Sequence, residues 1–169
     1  MSLRNFLLGL LSVIGIAIVF LPLQKVFAFT ETRTENPVMY TILANTENEF
    51  HIRYTHSIHK SDVLEHYQYT DKNQIQLLGM EYEDLAIGMP GYAEEGQTLT
   101  QQDGHYNLKF NHKIIQDFTI YIGDLDIDLV FEYDGVEYNL KTDLQRGKSY
   151  LFEVKQISLY KQWKGVRIK

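Results

Sequence analysis

The sequence predicts an all-β domain, either an antiparallel sandwich or a partly open barrel, preceded by an N-terminal signal or anchor helix. Three observations support this prediction. Apolar and polar residues alternate along most runs after residue 37, these runs are rich in Tyr, Phe, Ile and Val, and turn residues separate them. Alternation of this kind is typical of strands. Many short strands with frequent turns favour a sandwich or a barrel.

Residues 1–28 form the first predicted element, a signal peptide or a membrane anchor. Arg4 precedes an apolar, uncharged run at residues 6–23, which is the pattern of an export signal. Val26-Phe27-Ala28 suits a signal peptidase and indicates cleavage after Ala28. The run is also about long enough for an uncleaved anchor. Both alternatives place the remainder outside the cytoplasm, either secreted or held at the outer face of a bacterial cytoplasmic membrane.

Residues 29–37 are predicted to be a polar linker, and residues 38–169 a single all-β domain. All 22 acidic residues and 14 of the 16 basic residues follow residue 28, so this part carries a formal charge of −8. This acidity argues against a nucleic-acid partner, because nucleic acid selects clustered Lys and Arg. The chain has no cysteine, so the fold has to form without disulfides. A domain of about 140 residues buries enough surface to do so.

Six strand runs are predicted from the alternation, with an Asp134-Gly135 hairpin turn joining the fifth to a following run. A long irregular loop is predicted between residues 83 and 102, where glycines and Pro90 cluster. The six runs are Glu49–Tyr54, Val63–Thr70, Ile75–Met80, Ile115–Tyr121, Leu125–Tyr133 and Tyr150–Tyr160.

The candidate site begins with His56 and Glu65, which both fall on the faces predicted to be buried. Strand alternation places His56 in line with Tyr54, and Glu65 in line with Tyr67. If the two runs form a hairpin in which Tyr54 lies opposite Tyr67, His56 lies opposite Glu65. A carboxylate in an apolar setting needs a partner. The pair is therefore either a functional site at the mouth of a pocket or a structural pair that closes the sheet end.

Other chemistry is weakly indicated by the sequence. The four histidines between residues 51 and 66 lack the spacing of a metal motif, so we expect neither a metal nor another cofactor. Ser57 follows His56 directly, and neighbouring strand residues face apart, so no nucleophile–base pair and no catalytic residue is predicted. The tyrosines on the inner face suit either an amphipathic pocket or the core.

The C-terminal stretch 161–169 is basic in an otherwise acidic domain. Two interpretations remain open from the sequence. The stretch is either a membrane-facing segment attracted by anionic lipid or a final strand with an exposed basic face.

The motif Tyr54-Thr55-His56-Ser57-Ile58, the downstream Glu65, and Ala86-Ile87-Gly88-Met89-Pro90 together resemble the bacterial domain-of-unknown-function 1850 family. Members have Thr-His-Ser-Val, a Glu, and a glycine-rich segment ending in Gly-aliphatic-Pro. This chain departs from the pattern at Ile58, where Val is usual, and at Ala86, where Gly is usual.

The resemblance implies a small exported protein whose gene lies beside those for the membrane subunits of TAXI-type TRAP transporters, which move organic acids. It therefore implies an accessory that binds a transporter membrane subunit, a small organic anion, or both. The expected binding residues are His56, Ser57, Glu65, Tyr54, Tyr67, Gly88, Met89 and Pro90. The alternatives are a free-standing ligand-binding β module and an enzyme that uses His56 and Glu65 as an acid–base pair.

Overall fold

The computed structural model describes residues 3–83, 85 and 88–168, without the side chains of residues 3, 6, 12, 14 and 16. In chain order the elements are α1 (Leu3–Phe20), β1 (Gln24–Glu31), β2 (Met39–Leu43), β3 (Glu49–Thr55), β4 (Asp62–Tyr69), β5 (Ile75–Glu83), β6 (Gln97–Gln102), β7 (His105–Ile115), β8 (Asp117–Tyr121), β9 (Leu129–Tyr133), β10 (Val136–Asn139), α2 (Leu140–Asp143), β11 (Ser149–Ile157), α3 (Leu159–Lys164) and β12 (Val166–Arg167).

The strands form two sheets, one of five strands in the order β12-β2-β1-β11-β8 and one of seven in the order β10-β9-β3-β4-β5-β7-β6. Pairing is antiparallel except between β12 and β2. Of the two predicted architectures, the sandwich is the one observed, and the all-β prediction is confirmed. In the described part of the chain, no helix combines the length and apolarity needed to cross a membrane.

The core lies between the two sheets and is mainly aromatic. Phe27 is at its centre, with ring centroids 5.0 Å from Phe50, 5.0 Å from Phe131 and 4.7 Å from Tyr133. A smaller cluster, formed by Val26, Ala28 and Ile157, lies apart from it. Strand alternation sends Val26 and Ala28 to the face of β1 opposite Phe27, so both faces of this strand are covered.

The predicted boundary of the β domain needs correction. The linker was expected to run from residue 29 and the domain to start at residue 38, but β1 already begins at Gln24. It lies at the centre of the five-stranded sheet, paired with β2 and β11. Val26, Phe27, Ala28 and Phe29 are each 0% exposed. A cut after Ala28 would remove Gln24 to Ala28, the larger part of this eight-residue strand.

Three predicted strand runs also differ from the structure, each for a local reason. The run 115–121 is two strands, because the chain passes at Gln116 from β7 in the larger sheet to β8 in the smaller one. The run 125–133 becomes a strand only at Leu129. The run 150–160 ends in α3, where the Ser158 hydroxyl accepts a hydrogen bond from the Lys161 backbone N–H at 3.2 Å.

Two predicted connections can also be compared with the structure. The Asp134-Gly135 hairpin is confirmed, since Tyr133 pairs with Val136 and both turn residues have positive φ, 52° and 71°. The predicted loop 83–102 is only partly irregular, because its last six residues form β6, which pairs with β7.

Candidate functional site

A cavity of about 910 Å³ lies between the two sheets, beside the aromatic core. Its walls are mostly apolar and aromatic, and they come from β3 to β9 together with the segment before β6. Six of the eight predicted binding residues line it: Tyr54, Glu65, Tyr67, Gly88, Met89 and Pro90. We call this space the main cavity.

Two carboxylates line the main cavity, Glu65 from β4 and Glu94 from the segment before β6. Glu65 lies opposite Ile52 of β3 and Met80 of β5. The Tyr67 hydroxyl, two residues along the same strand, donates a hydrogen bond of 2.7 Å to Glu65 Oε2. Burial raises the pKa of Glu65, and the Tyr67 hydrogen bond and the charge of Lys113 oppose that rise. The side chain therefore accepts a proton more readily than an exposed glutamate does.

The two tyrosines next to Glu65 keep their protons. Burial, helped by the charge of Glu65, raises the pKa of Tyr54 to about 12. The same causes raise the pKa of Tyr67 still further. Both hydroxyls are therefore neutral hydrogen-bonding groups at physiological pH.

Strand irregularities shape the sheet beside this group. The β4–β5 register shifts between His66 and Tyr67, and the β5–β7 register shifts between Leu77 and Gly79. Extra residues of this kind bend a strand and increase its twist. Glycine suits position 79 because β5 and β7 approach each other closely there. A Cβ at this position would lie 2.9 Å from the Leu108 carbonyl oxygen. The bends fall next to Glu65 and Lys113, so they help shape the cavity wall.

The segment before β6 contributes two anchored residues to the cavity. Met89 packs against the small apolar cluster of Val63, Tyr82 and Leu108. The Tyr82 hydroxyl donates a hydrogen bond to the Pro90 carbonyl at 2.5 Å. Residues Ala86 and Ile87 of the same motif lie outside the described residues.

The predicted pairing of His56 with Glu65 is wrong. Tyr54 pairs with Val63 rather than with Tyr67, so the hairpin is shifted by four residues and His56 falls beyond the end of β3. The predicted buried faces are nevertheless the observed ones, because an even shift leaves every side chain on its side of the sheet.

His56 instead organises the turn between β3 and β4. Its Nδ1 accepts hydrogen bonds from the backbone N–H groups of Ile58 at 3.3 Å and His59 at 3.4 Å. With Ser57 it lines a second cavity of about 420 Å³, to which Tyr54 also contributes. The predicted site residues thus divide between two neighbouring cavities that share Tyr54.

His51 and His66 lie on the opposite face of the larger sheet, paired across β3 and β4. Their Nδ1 atoms are 3.0 Å apart, and His66 Nε2 lies 3.0 Å from Glu81 Oε1. Burial, followed by the charge of His66, lowers the pKa of His51. Among the described residues, no group of three or more His, Cys, Asp or Glu side chains is placed to hold a metal ion.

Sequence reasoning missed Lys113, Phe110 and Phe118, which line the main cavity from β7 and β8. Lys113 Nζ lies 4.7 Å from the centroid of the Phe110 ring, and it is the cation whose charge acts on Glu65. No local motif marks these residues. Strand pairing between distant parts of the chain brings them to the cavity.

The sequence profile of the family described as Domain of unknown function (DUF1850) matches residues 50–140. This range contains the seven-stranded sheet, with β3 included from its second residue, Phe50, and it also contains β8 of the smaller sheet. All eight predicted binding residues fall within it. The remaining strands, β1, β2, β11 and β12, lie outside it. No curated protein and no solved structure matches the chain. Because the match covers more than half of the chain, the protein belongs to the DUF1850 family.

Proposed function

We propose that this protein is an exported, membrane-associated accessory of a TAXI-type TRAP solute transporter, and that its β domain binds a small solute in the main cavity. The observation that carries the proposal is the cavity itself, where Glu65, Tyr67 and Lys113 converge within a largely apolar and aromatic wall. Cavities of this size with a few convergent polar groups are the usual form of small-ligand sites.

The charges around Lys113 fit an organic anion if Glu65 is protonated, with the second lining carboxylate, Glu94, contributed by the segment before β6. The Lys113 ammonium would pair with the anion, and the Glu65 carboxyl would then donate a hydrogen bond instead of repelling it. The raised pKa of Glu65 favours that state. Anion binding would therefore take up a proton, and affinity would fall as pH rises. A ligand amine placed against ionised Glu65 would show the opposite dependence.

The membrane association is supported by the N-terminal segment and the strand that follows it. Apolar side chains of α1 such as Leu11 and Val13, each 64% exposed, have no covering layer of protein. A helix that is apolar all round normally belongs in a core or a membrane. The 0% exposure of Phe27 and Ala28 supports the uncleaved alternative, because the chain runs from α1 almost directly into the core.

Ligand binding is tested by thermal shift of the full-length protein against short mono- and dicarboxylic acids and amino acids. At least one compound is expected to raise Tm, because a ligand that binds only the folded protein stabilises it. Glu65→Gln is expected to reduce this shift or change its pH dependence. Glu49→Gln, an exposed carboxylate on the neighbouring strand, is the matched control. No shift from any compound at saturating concentration would contradict solute binding.

The accessory role is tested separately, by purifying tagged full-length protein from its own membranes in mild detergent and identifying its companions by mass spectrometry. A transporter membrane subunit is the expected companion. Recovery of the protein alone, together with a positive ligand shift, would favour the free-standing binding module instead.

A further inference from the structure

The C-terminal edge of the smaller sheet has a surface unlike the rest of the domain. We call α3 and β12 together the basic edge. Lys161, Lys164 and Arg167 are all exposed there, although residues 29–169 as a whole carry a formal charge of −8. Among these cations Trp163 is 85% exposed and Val166 is 45% exposed. A large exposed indole beside clustered cations calls for a partner.

The basic edge lies next to the apolar helix α1. The ring of Phe20, the last residue of α1, is 5.2 Å from the ring of Tyr160 in α3. Sheet register explains this proximity. Gln24 at the start of β1 pairs with Ile157 at the end of β11, so α1 enters and α3 leaves at the same end of the sheet.

We propose that the basic edge is a membrane-contact face that binds anionic phospholipid headgroups. In this arrangement Trp163 lies in the interfacial layer, where indole rings accumulate because they combine an apolar body with a polar N–H. Lys161, Lys164 and Arg167 meet the lipid phosphates. Lys164 Nζ lies 4.8 Å from the centroid of the Tyr160 ring. Because that ring also contacts Phe20 of α1, Lys164 lies on the same side of the domain as α1.

Charge complementarity favours an anionic membrane surface as the partner of the basic edge. An anionic surface repels the acidic remainder of the domain and attracts the basic edge, so a single orientation is favoured. The interaction gives the domain a second attachment beyond α1. It rests on the membrane association in the proposed function but not on transporter or ligand binding.

The orientation also determines where the main cavity lies. The smaller sheet runs β12-β2-β1-β11-β8, and the cavity uses Phe118, Thr119 and Ile120 of β8. Four strand spacings of about 4.8 Å separate β12 from β8, so the cavity wall lies about 19 Å across the sheet from the basic edge. A membrane at that edge leaves the cavity open to the extracytoplasmic space.

The test uses the intrinsic fluorescence of Trp163, because the chain contains one tryptophan. Full-length protein is incorporated into vesicles of phosphatidylcholine alone or of an equal mixture with phosphatidylglycerol. In the mixed vesicles we expect a blue-shifted emission, quenching by lipids brominated near the headgroup, and a several-fold lower quenching constant for aqueous iodide. In phosphatidylcholine alone Trp163 is expected to remain open to iodide.

Charge reversal sharpens this test. A triple variant should restore the access of iodide to Trp163 in the mixed vesicles. It combines Lys161→Glu, Lys164→Glu and Arg167→Glu. The matched control reverses Lys60, Lys72 and Lys109, which are also exposed, and should leave the protected state unchanged. Equal iodide access in both vesicle types, or no effect of the basic-edge variant, would overturn the proposal. Vesicle flotation is scored in parallel, so a failure of membrane association itself is recognised separately.

Discussion

The space between the two sheets has a closed half and an open half. In the closed half Phe27 packs against Phe50, Phe131 and Phe152. In the open half the same layer is the main cavity, where the charged side chains of Glu65 and Lys113 lie beside Phe110 and Phe118. Strand β4 runs through both halves, with Tyr69 in the core and Glu65 in the cavity.

The difference shows how one alternating strand serves both packing and binding. Tyr67 stands at the border: its ring stacks on Phe50 with centroids 5.2 Å apart, and its hydroxyl reaches Glu65. The register shift next to Tyr67 falls at the same border. The inward face of β4 therefore continues from the core at Tyr69 to the cavity at Glu65.

The largest expected effect is in the closed half. Phe27→Ala removes a fully buried ring with several aromatic neighbours, so we expect it to lower the free energy of unfolding by about 3–5 kcal/mol. Urea denaturation measures the loss. Tyr121→Ala, at a side chain 59% exposed, should change stability by no more than about 0.5 kcal/mol. Similar losses for the two variants would mean that the closed half is not the core.

A smaller effect is expected at the border. Tyr67→Phe keeps the ring but removes the donor to the half-buried Glu65 carboxylate, so we expect a loss of about 1–3 kcal/mol at neutral pH. A double-mutant cycle with Glu65→Gln isolates the pairwise contribution. Additive losses in the two variants would show that the hydroxyl does not support the carboxylate.

The open half should show a pH signature. Burial raises the folded-state pKa of Glu65 above its ordinary value of 4.5. The folded state therefore holds this proton at pH values where the unfolded state has lost it. The resulting stability is fully present below about 4.5 and is lost as pH rises through the folded pKa. Glu65→Gln should gain stability relative to wild type over that window, as measured by denaturation at successive pH values. A constant difference across the window would contradict burial of the charge.

The smallest effect is expected on the outer face of the larger sheet. The folded-state pKa of His51 is lowered below 6.5 by burial and by His66, against the charges of Glu132, Glu49 and Glu81. The unfolded chain takes up this proton first. Stability is therefore fully present above about 6.5 and is lost as pH falls through the folded pKa.

His51→Gln should flatten this acid-side loss. His112→Asn is the matched control, because His112 is exposed and has a φ of 62° that Asn tolerates. Parallel pH profiles for wild type and His51→Gln would show that the buried histidine does not contribute.

Local patterns predicted the faces of the strands well, because side-chain alternation is a property of a single strand. Glu65 and Tyr67 were correctly placed on one face of β4, and in the structure Met89 and Pro90 line the same cavity as these two residues. The register of β3 against β4 was not predictable from faces alone, since a shift by an even number of residues preserves them. Turn geometry decided it, with His56 closing the turn rather than facing Glu65.

Features that depend on distant pairing were missed for a related reason. Lys113 reaches the cavity only because β7 pairs with β5, and β1 was hidden inside a pattern that also fits a cleavage site. From the sequence alone, Phe27 and Ala28 fit the end of a signal peptide as well as they fit a buried strand. In the structure this segment is β1, which pairs with β11.

The central position of β1 has a consequence for biosynthesis. Synthesis from the N-terminus to the C-terminus makes β1 the first strand of the domain, but its partner β11 is among the last strands to follow. Until then one edge of β1 and its apolar faces lack their final neighbours, a state that favours mispairing. The strands of the larger sheet emerge in between and pair mostly with near neighbours in sequence. The larger sheet can therefore assemble first, and closure of the smaller sheet by β11 becomes the step that completes the cavity.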